Sequence, residues 1–161
     1  MLRRPILAIL VSALWMSACS SMQHEPPVVS AFESTKNVAM DFETAWGRAV
    51  AWFATRNITI DKVEKESGLL TARYDLAVDD NAVDVGRVKA SNIMNLTIKR
   101  MASINVLVRK LDARNSAVTV NVFGSFEARG WRRWENGWMS LSGTCASTGK
   151  IEADLFAFMG G

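Results

Sequence analysis

Few side chains in this chain are equipped for chemistry. One histidine, His24, and two cysteines, Cys19 and Cys145, are its strongest nucleophile, base and soft-ligand candidates. A Ser-His-Asp or Cys-His site needs a histidine held rigidly in a cleft beside its partner. His24 sits instead in a polar, proline-containing stretch five residues after Cys19. Carboxylate pairs can act as acid and base, but none here has a telling spacing. Zinc would have too few ligands. Asp79, Asp80, Asn81 and Asp84 offer oxygens to calcium. However, Val83 takes a ligand position of an EF-hand loop and Asp84 takes its glycine position, so the stretch reads as a solvated acidic loop. The expectation is a protein that is not an enzyme, with no metal and no cofactor.

The richest candidate surface is Arg129, Trp131, Arg132, Arg133, Trp134 and Trp138. Amphipathic rings beside fixed positive charge are enriched at interfaces and in membrane-surface belts. They would also suit stacking on sugars. The competing reading is structural: the tryptophans close the open end of a core and the arginines stack on them or face water. Trp131 and Trp134 are three residues apart, so in a strand they point to opposite faces. At least one tryptophan is therefore expected to be exposed, with guanidinium groups nearby. Asn136-Gly137 signals a two-residue hairpin, which would place Trp138 opposite Glu135.

The first nineteen residues carry a different kind of chemistry. Arg3 and Arg4 precede an eleven-residue apolar run, Ile6 to Met16, broken only by Ser12. Ser17 and Ala18 then lead to Cys19, which is the layout of a cleaved export signal. An uncut transmembrane anchor is the alternative, but a spanning helix needs roughly twenty apolar residues. Met16-Ser17-Ala18-Cys19 resembles the lipobox of bacterial lipoproteins. That resemblance implies a diacylglycerol on the Cys19 thiol, with Cys19 as the new N-terminus. It also implies that Ser20, which is not Asp, permits passage onward to the outer membrane. Several acyl chains on one cysteine make a stable anchor, where a single chain is marginal.

The remaining sequence must position these groups. Residues 19–37 read as a lipidated tether, since Pro26-Pro27 favours extended backbone, with Val28, Val29 and Phe32 able to dock or form an edge strand. Asp41 is an N-cap candidate. Phe42, Ala45, Trp46, Ala49, Val50 and Phe53 then form one apolar helical face over 42–55. Asn57 is its stop. This aromatic face reads as core, with cofactor stacking as the alternative. Residues 58–63 and 70–76 read as a hairpin around Ser67-Gly68. Residues 77–92 read as irregular and 93–99 as a short strand. A second hairpin pairs 102–110 with 118–123 around a turn at 112–116. Another strand is expected over 138–142, and a second helix over 149–159 with Ile151, Leu155, Phe158 and Met159 inward.

This order contains no βαβ alternation, which argues against a parallel sheet. The expected fold is α+β: one domain, residues 38–161, with an antiparallel sheet of about four to five strands and both helices on one face. The other face would be polar and exposed. Once residues 1–18 are removed, the chain is long enough for a single real core. Hydrophobic residues make up 49% and charged residues 22%, an ordinary globular composition. Without Arg3 and Arg4 the net charge falls from +3 to +1, so no nucleic-acid footprint is supported. With Cys19 lipidated, Cys145 has no partner in the chain. It reads as a small buried hydrophobe, or else as an intermolecular bridge or reactive thiol.

Phe42-x-x-x-Trp46, Ile58-x-Ile60, Ser67-Gly68-Leu69-Leu70 and Cys145-x-Ser147-Thr148-Gly149-x-x-Glu152 together resemble small proteobacterial outer-membrane lipoproteins. Their domains are similar to the helix-grip domains of BamC, a lipoprotein of the outer-membrane protein assembly machine. Relatives carry Asp-Cys-Gly where this chain has Asp84-Val85-Gly86. The resemblance implies an interaction module, lipid-anchored in the inner leaflet of the outer membrane and facing the periplasm. It would contact the membrane through Cys19 and an envelope protein through its domain, in assembly or maintenance. A small-ligand or glycan binder, with a pocket between the sheet and Trp46 or Trp52, is the rival.

Overall fold

The computed structural model describes residues 19–29, 31–76 and 81–160. The export-signal reading of residues 1–18 therefore lies outside the described residues, as do Asp79 and Asp80.

The chain runs β1 (Ser21–Glu25), β2 (Thr35–Val38), α1 (Phe42–Thr55), β3 (Ile60–Glu64), β4 (Leu69–Leu76), β5 (Val83–Asp84) and β6 (Arg87–Ser91). It continues with β7 (Ile93–Lys110), β8 (Ser116–Arg132), β9 (Gly137–Ser147) and α2 (Lys150–Gly160). The fold is α+β. A seven-stranded antiparallel sheet orders β3-β4-β7-β8-β9-β5, and β2 also pairs with β8. Since β7 takes one edge of β8 throughout, β2 and β9 lie end to end along the other. A separate two-stranded ribbon pairs β1 with β6.

The sheet is larger than the four to five strands expected. The extra strands are β2 and β5, and β7 and β8 are longer than expected. Residues 93–99 and 102–110 are one 18-residue strand, roughly 55 Å long at about 3.3 Å per residue. Its partner runs on past Gly124 to Arg132. Glycine in a strand interior usually marks weakness or a close approach. Here it is a close approach, because a Cβ at Gly124 would lie 2.6 Å from the Cys145 Cβ and 2.9 Å from Val83 Cγ1. At the far end, Asp112 Oδ1 accepts hydrogen bonds from the amides of Arg114 and Asn115 and closes the turn.

Alternation along the long hairpin places one row inward: Ala102, Ile104, Val106 and Val108 on β7, with Val118, Val120 and Val122 on β8. Ala45, Ala49, Trp52 and Phe53 of α1 and Ile151, Leu155 and Met159 of α2 pack into that row and form the main core. Helix α1 spans the residues its apolar stripe predicts. Asp41 caps it by accepting from the Thr44 amide at 3.0 Å, and Asn57 ends it in the left-handed region at φ 54°.

Beyond the helices the same sheet face continues as Phe126 and Ala128. The ribbon covers it there, with Val85, Met22, Val88, Ile98 and Leu141 around them. Two further expectations are corrected at this point. Part of the stretch read as a tether is strand β1, laid on the body, and part is β2. The segment 77–92 read as irregular supplies β5 and β6. Glycine makes room for the ribbon. Gly143 lies opposite Phe126, and a Cβ on it would lie 2.7 Å from that ring and 3.1 Å from His24 Nδ1.

Candidate interaction surface

The tip of the β8–β9 hairpin holds the arginine–tryptophan stretch. Its loop has four residues, Arg133 to Asn136, because Arg132 pairs with Gly137. The expected two-residue turn is thus corrected: Trp138 stands opposite Trp131, not Glu135. Asn136 supplies the turn's positive φ of 47°, a conformation that asparagine tolerates better than most residues.

Trp131 and Trp138 face the same side of the sheet, away from the helices, and meet edge to face with centroids 5.5 Å apart. The Arg129 guanidinium lies 4.8 Å above the Trp138 ring. Trp134 is in the loop, where Arg133 stacks at 5.4 Å. Trp134 is 65% exposed and Trp138 54%. Met94, opposite Trp131 in register and 41% exposed, extends the apolar surface. Arg132 differs from the other two arginines because it forms an ion pair with Glu135. Since the Trp134 ring is largely in water, Trp134→Ala is expected to cost about 0.5 kcal/mol or less. Thermal melting of the variant checks this, and a loss of several kcal/mol would mean that the ring is core.

Cys19 and Ser20 belong to this same tip, which residue types alone did not reveal. The Ser20 amide donates to Glu135 Oε1 at 2.9 Å. This bond, with the Arg132 guanidinium also beside it, holds the Glu135 carboxyl below the usual carboxylate range. Asn92 gathers the rest. Its carbonyl accepts from the Arg133 amide at 2.9 Å and the Ser20 hydroxyl at 3.4 Å, and its Nδ2 donates to the Cys19 carbonyl at 3.4 Å. Ser20 is buried and Cys19 is exposed. The only sequence hint was Asn92 itself, which takes φ 57° between β6 and β7.

No protein-family model matches the chain, and no curated protein matches it.

The other chemistry candidates have structural partners. The His24 ring packs edge-on to Phe126 with centroids 4.6 Å apart, and its Nε2 lies 2.7 Å from the Val85 carbonyl oxygen. Cys145 is free and half-buried, and burial pushes its thiol up from the ordinary value, favouring the unreactive protonated form at neutral pH. Among the described residues no three His, Cys, Asp or Glu side chains gather as a metal site. Asp84 Oδ1 accepts from the Gly86 amide.

Sequence reasoning named Glu152 only within a motif of the family resemblance and gave it no role. It is 1% exposed, and the Ser147 hydroxyl lies 2.8 and 3.0 Å from its two carboxyl oxygens. Burial pushes its carboxyl above the usual range. Ser147 Oγ also accepts from the Gly149 amide, and Thr148 Oγ1 donates to the Asn81 carbonyl. The Ser147-Thr148-Gly149-x-x-Glu152 motif is therefore a joint that fixes the start of α2. Trp46 and Trp52 are both buried, and Trp52 Nε1 donates to Asp154 Oδ2 at 2.8 Å. The cleft beside Trp52, about 390 Å³, lies at the seam of α1 and α2 with Arg56, Lys150 and Asp154 around it. It does not lie between the sheet and the two rings.

Proposed function

We propose that this chain is a lipid-anchored, non-catalytic interaction module of the outer membrane. Cys19 carries the lipid in the inner leaflet and the domain faces the periplasm, where it binds an envelope protein in assembly or maintenance. The observation that carries this reading is the setting of Cys19. It is exposed beside an aromatic, arginine-bearing tip and joined to the body by hydrogen bonds through Asn92 and Ser20. Two helices held against one face of a long antiparallel sheet are in keeping with a helix-grip domain, and we extend the proposal to that fold family.

With the tip turned to the membrane, the uncovered sheet face is left for a protein. It carries Ser125, Ser140, Ser142 and Thr144, together with Phe123, 59% exposed, and Met101, 46% exposed. An exposed aromatic on such a polar face is the kind of anchor that interfaces use. A photo-crosslinking side chain at position 123 of the full chain, activated in cells, is expected to capture a discrete outer-membrane protein. Absence of any adduct, with lipid or glycan co-purifying at stoichiometric amounts, would favour the small-ligand reading and overturn this one.

A further inference from the structure

We infer that the tip formed by Trp131, Trp134 and Trp138 with Arg129 and Arg133 is a membrane-surface dock, seated in the headgroup layer of the bilayer that holds the lipid on Cys19. This rests on the anchored reading of Cys19 and deepens it, because it concerns how the domain stands on the membrane.

No spacer separates Cys19 from the body. A flexible linker would let the domain float above the surface. Here Ser20 is pinned to Glu135, and Asn92 to Cys19, Ser20 and Arg133. Strand β1 then starts at Ser21 and pairs with β6. A lipid on Cys19 therefore brings the β8–β9 loop to the bilayer with it. The loop suits that location. Tryptophan partitions to the membrane–water interface, where its ring is shielded and its indole N–H stays wet. Trp134 and Trp138 are each more than half exposed, so in water much of this apolar surface is uncovered. Charge agrees as well. Arg132 is neutralised by Glu135, whereas Arg129 and Arg133 have no carboxylate partner among the described residues and lie over the Trp138 and Trp134 rings. Basic side chains near an anionic surface each add roughly 1 kcal/mol, or about fivefold in affinity. A phosphatidylglycerol-containing surface thus matches both the rings and the arginines.

The test uses the full-length acylated protein reconstituted into vesicles of phosphatidylethanolamine and phosphatidylglycerol. Some vesicles carry lipids brominated near the headgroup. Tryptophan fluorescence is expected to be quenched by the brominated lipid and protected from aqueous iodide. Most of that quenching should be lost in the Trp131→Phe, Trp134→Phe, Trp138→Phe triple variant, because buried Trp46 and Trp52 belong to the helical core at the other part of the sheet. Unquenched, iodide-accessible tryptophans in the wild type would overturn the dock and free the tip for a protein partner. Undiminished quenching in the triple variant would also overturn it. Intact mass of the same sample reports the acylation of Cys19 separately. Acylated protein without quenching removes the dock and leaves the anchor, whereas quenching without acylation removes the anchor and leaves the dock.

Discussion

Phe126→Ala is expected to lower the unfolding free energy by about 3–5 kcal/mol, the usual cost of emptying a buried aromatic site. It should also loosen the ribbon of β1 and β6 from the sheet. Phe126 is 2% exposed and is the largest residue in the second core, where Val85 and Ala128 are its buried neighbours. Two of its contacts have no replacement. His24 of β1 stands edge-on to its ring. Gly143, opposite it on β9, leaves the space that the ring fills, a cross-strand pairing in which an aromatic covers a glycine. An alanine at 126 would leave a void bordered by a glycine, which cannot fill it. The His24–Val85 contact, at 2.7 Å, would lose its apolar cover. Denaturant unfolding measures the first effect. Amide exchange over residues 21–25 and 87–91 measures the second, and protection there should fall further than in α1. A loss under about 1 kcal/mol with ribbon protection intact would show that the ribbon is held by its own pairing alone. The contrast with Trp134→Ala is informative, since a larger ring at the loop is expected to matter far less to stability than a smaller one in the second core.

The ribbon also shows where the sequence was legible and where it was not. Helix α1 was readable to its ends because its determinants are local: an aspartate cap, a 3.6-residue stripe and an asparagine stop. The hairpin of β3 and β4 was readable for the same reason, with Gly68 at φ 72° in its turn. Strand β1, Ser-Met-Gln-His-Glu, has no such signal. It is a strand because Arg87–Ser91, more than sixty residues later, offers a partner, and because Met22 and His24 find room over Gly130 and Gly143. The long hairpin was broken in the reading at Gly124, where glycine serves packing against Cys145 and Val83 rather than a turn. The candidate surface was legible by residue type, and the structure brings Trp131 and Trp138 together as a pair. That Cys19 belongs to the same surface was not legible, because Ser20 and Glu135 are 115 residues apart and no local pattern records a contact at that range. The burial of Glu152 was not legible for a related reason: a charged residue five positions after a serine gives no sign of being buried against it.

Cys19→Ala is the other change expected to have a large effect, on placement rather than stability. Cys19 is exposed and its carbonyl, not its thiol, holds Asn92. The substitution therefore removes only the thiol proposed to accept the lipid and leaves the hydrogen bonds of the tip in place. Melting of the variant should be unchanged within about 0.5 kcal/mol, as for other exposed positions away from caps and cores. Membrane attachment is different, because several acyl chains, each adding about 0.8 kcal/mol per buried methylene, dominate the affinity of an anchored protein. The most direct measurement is radiolabelled fatty-acid incorporation and intact mass of the full chain expressed in a bacterial envelope, for wild type and Cys19→Ala in parallel. The wild-type protein is expected to be cleaved before Cys19, labelled and sedimenting with the outer membrane, and the variant to accumulate as unlabelled precursor. A variant that is processed normally and stays in the outer membrane, or a wild type that carries no acyl group, would contradict it.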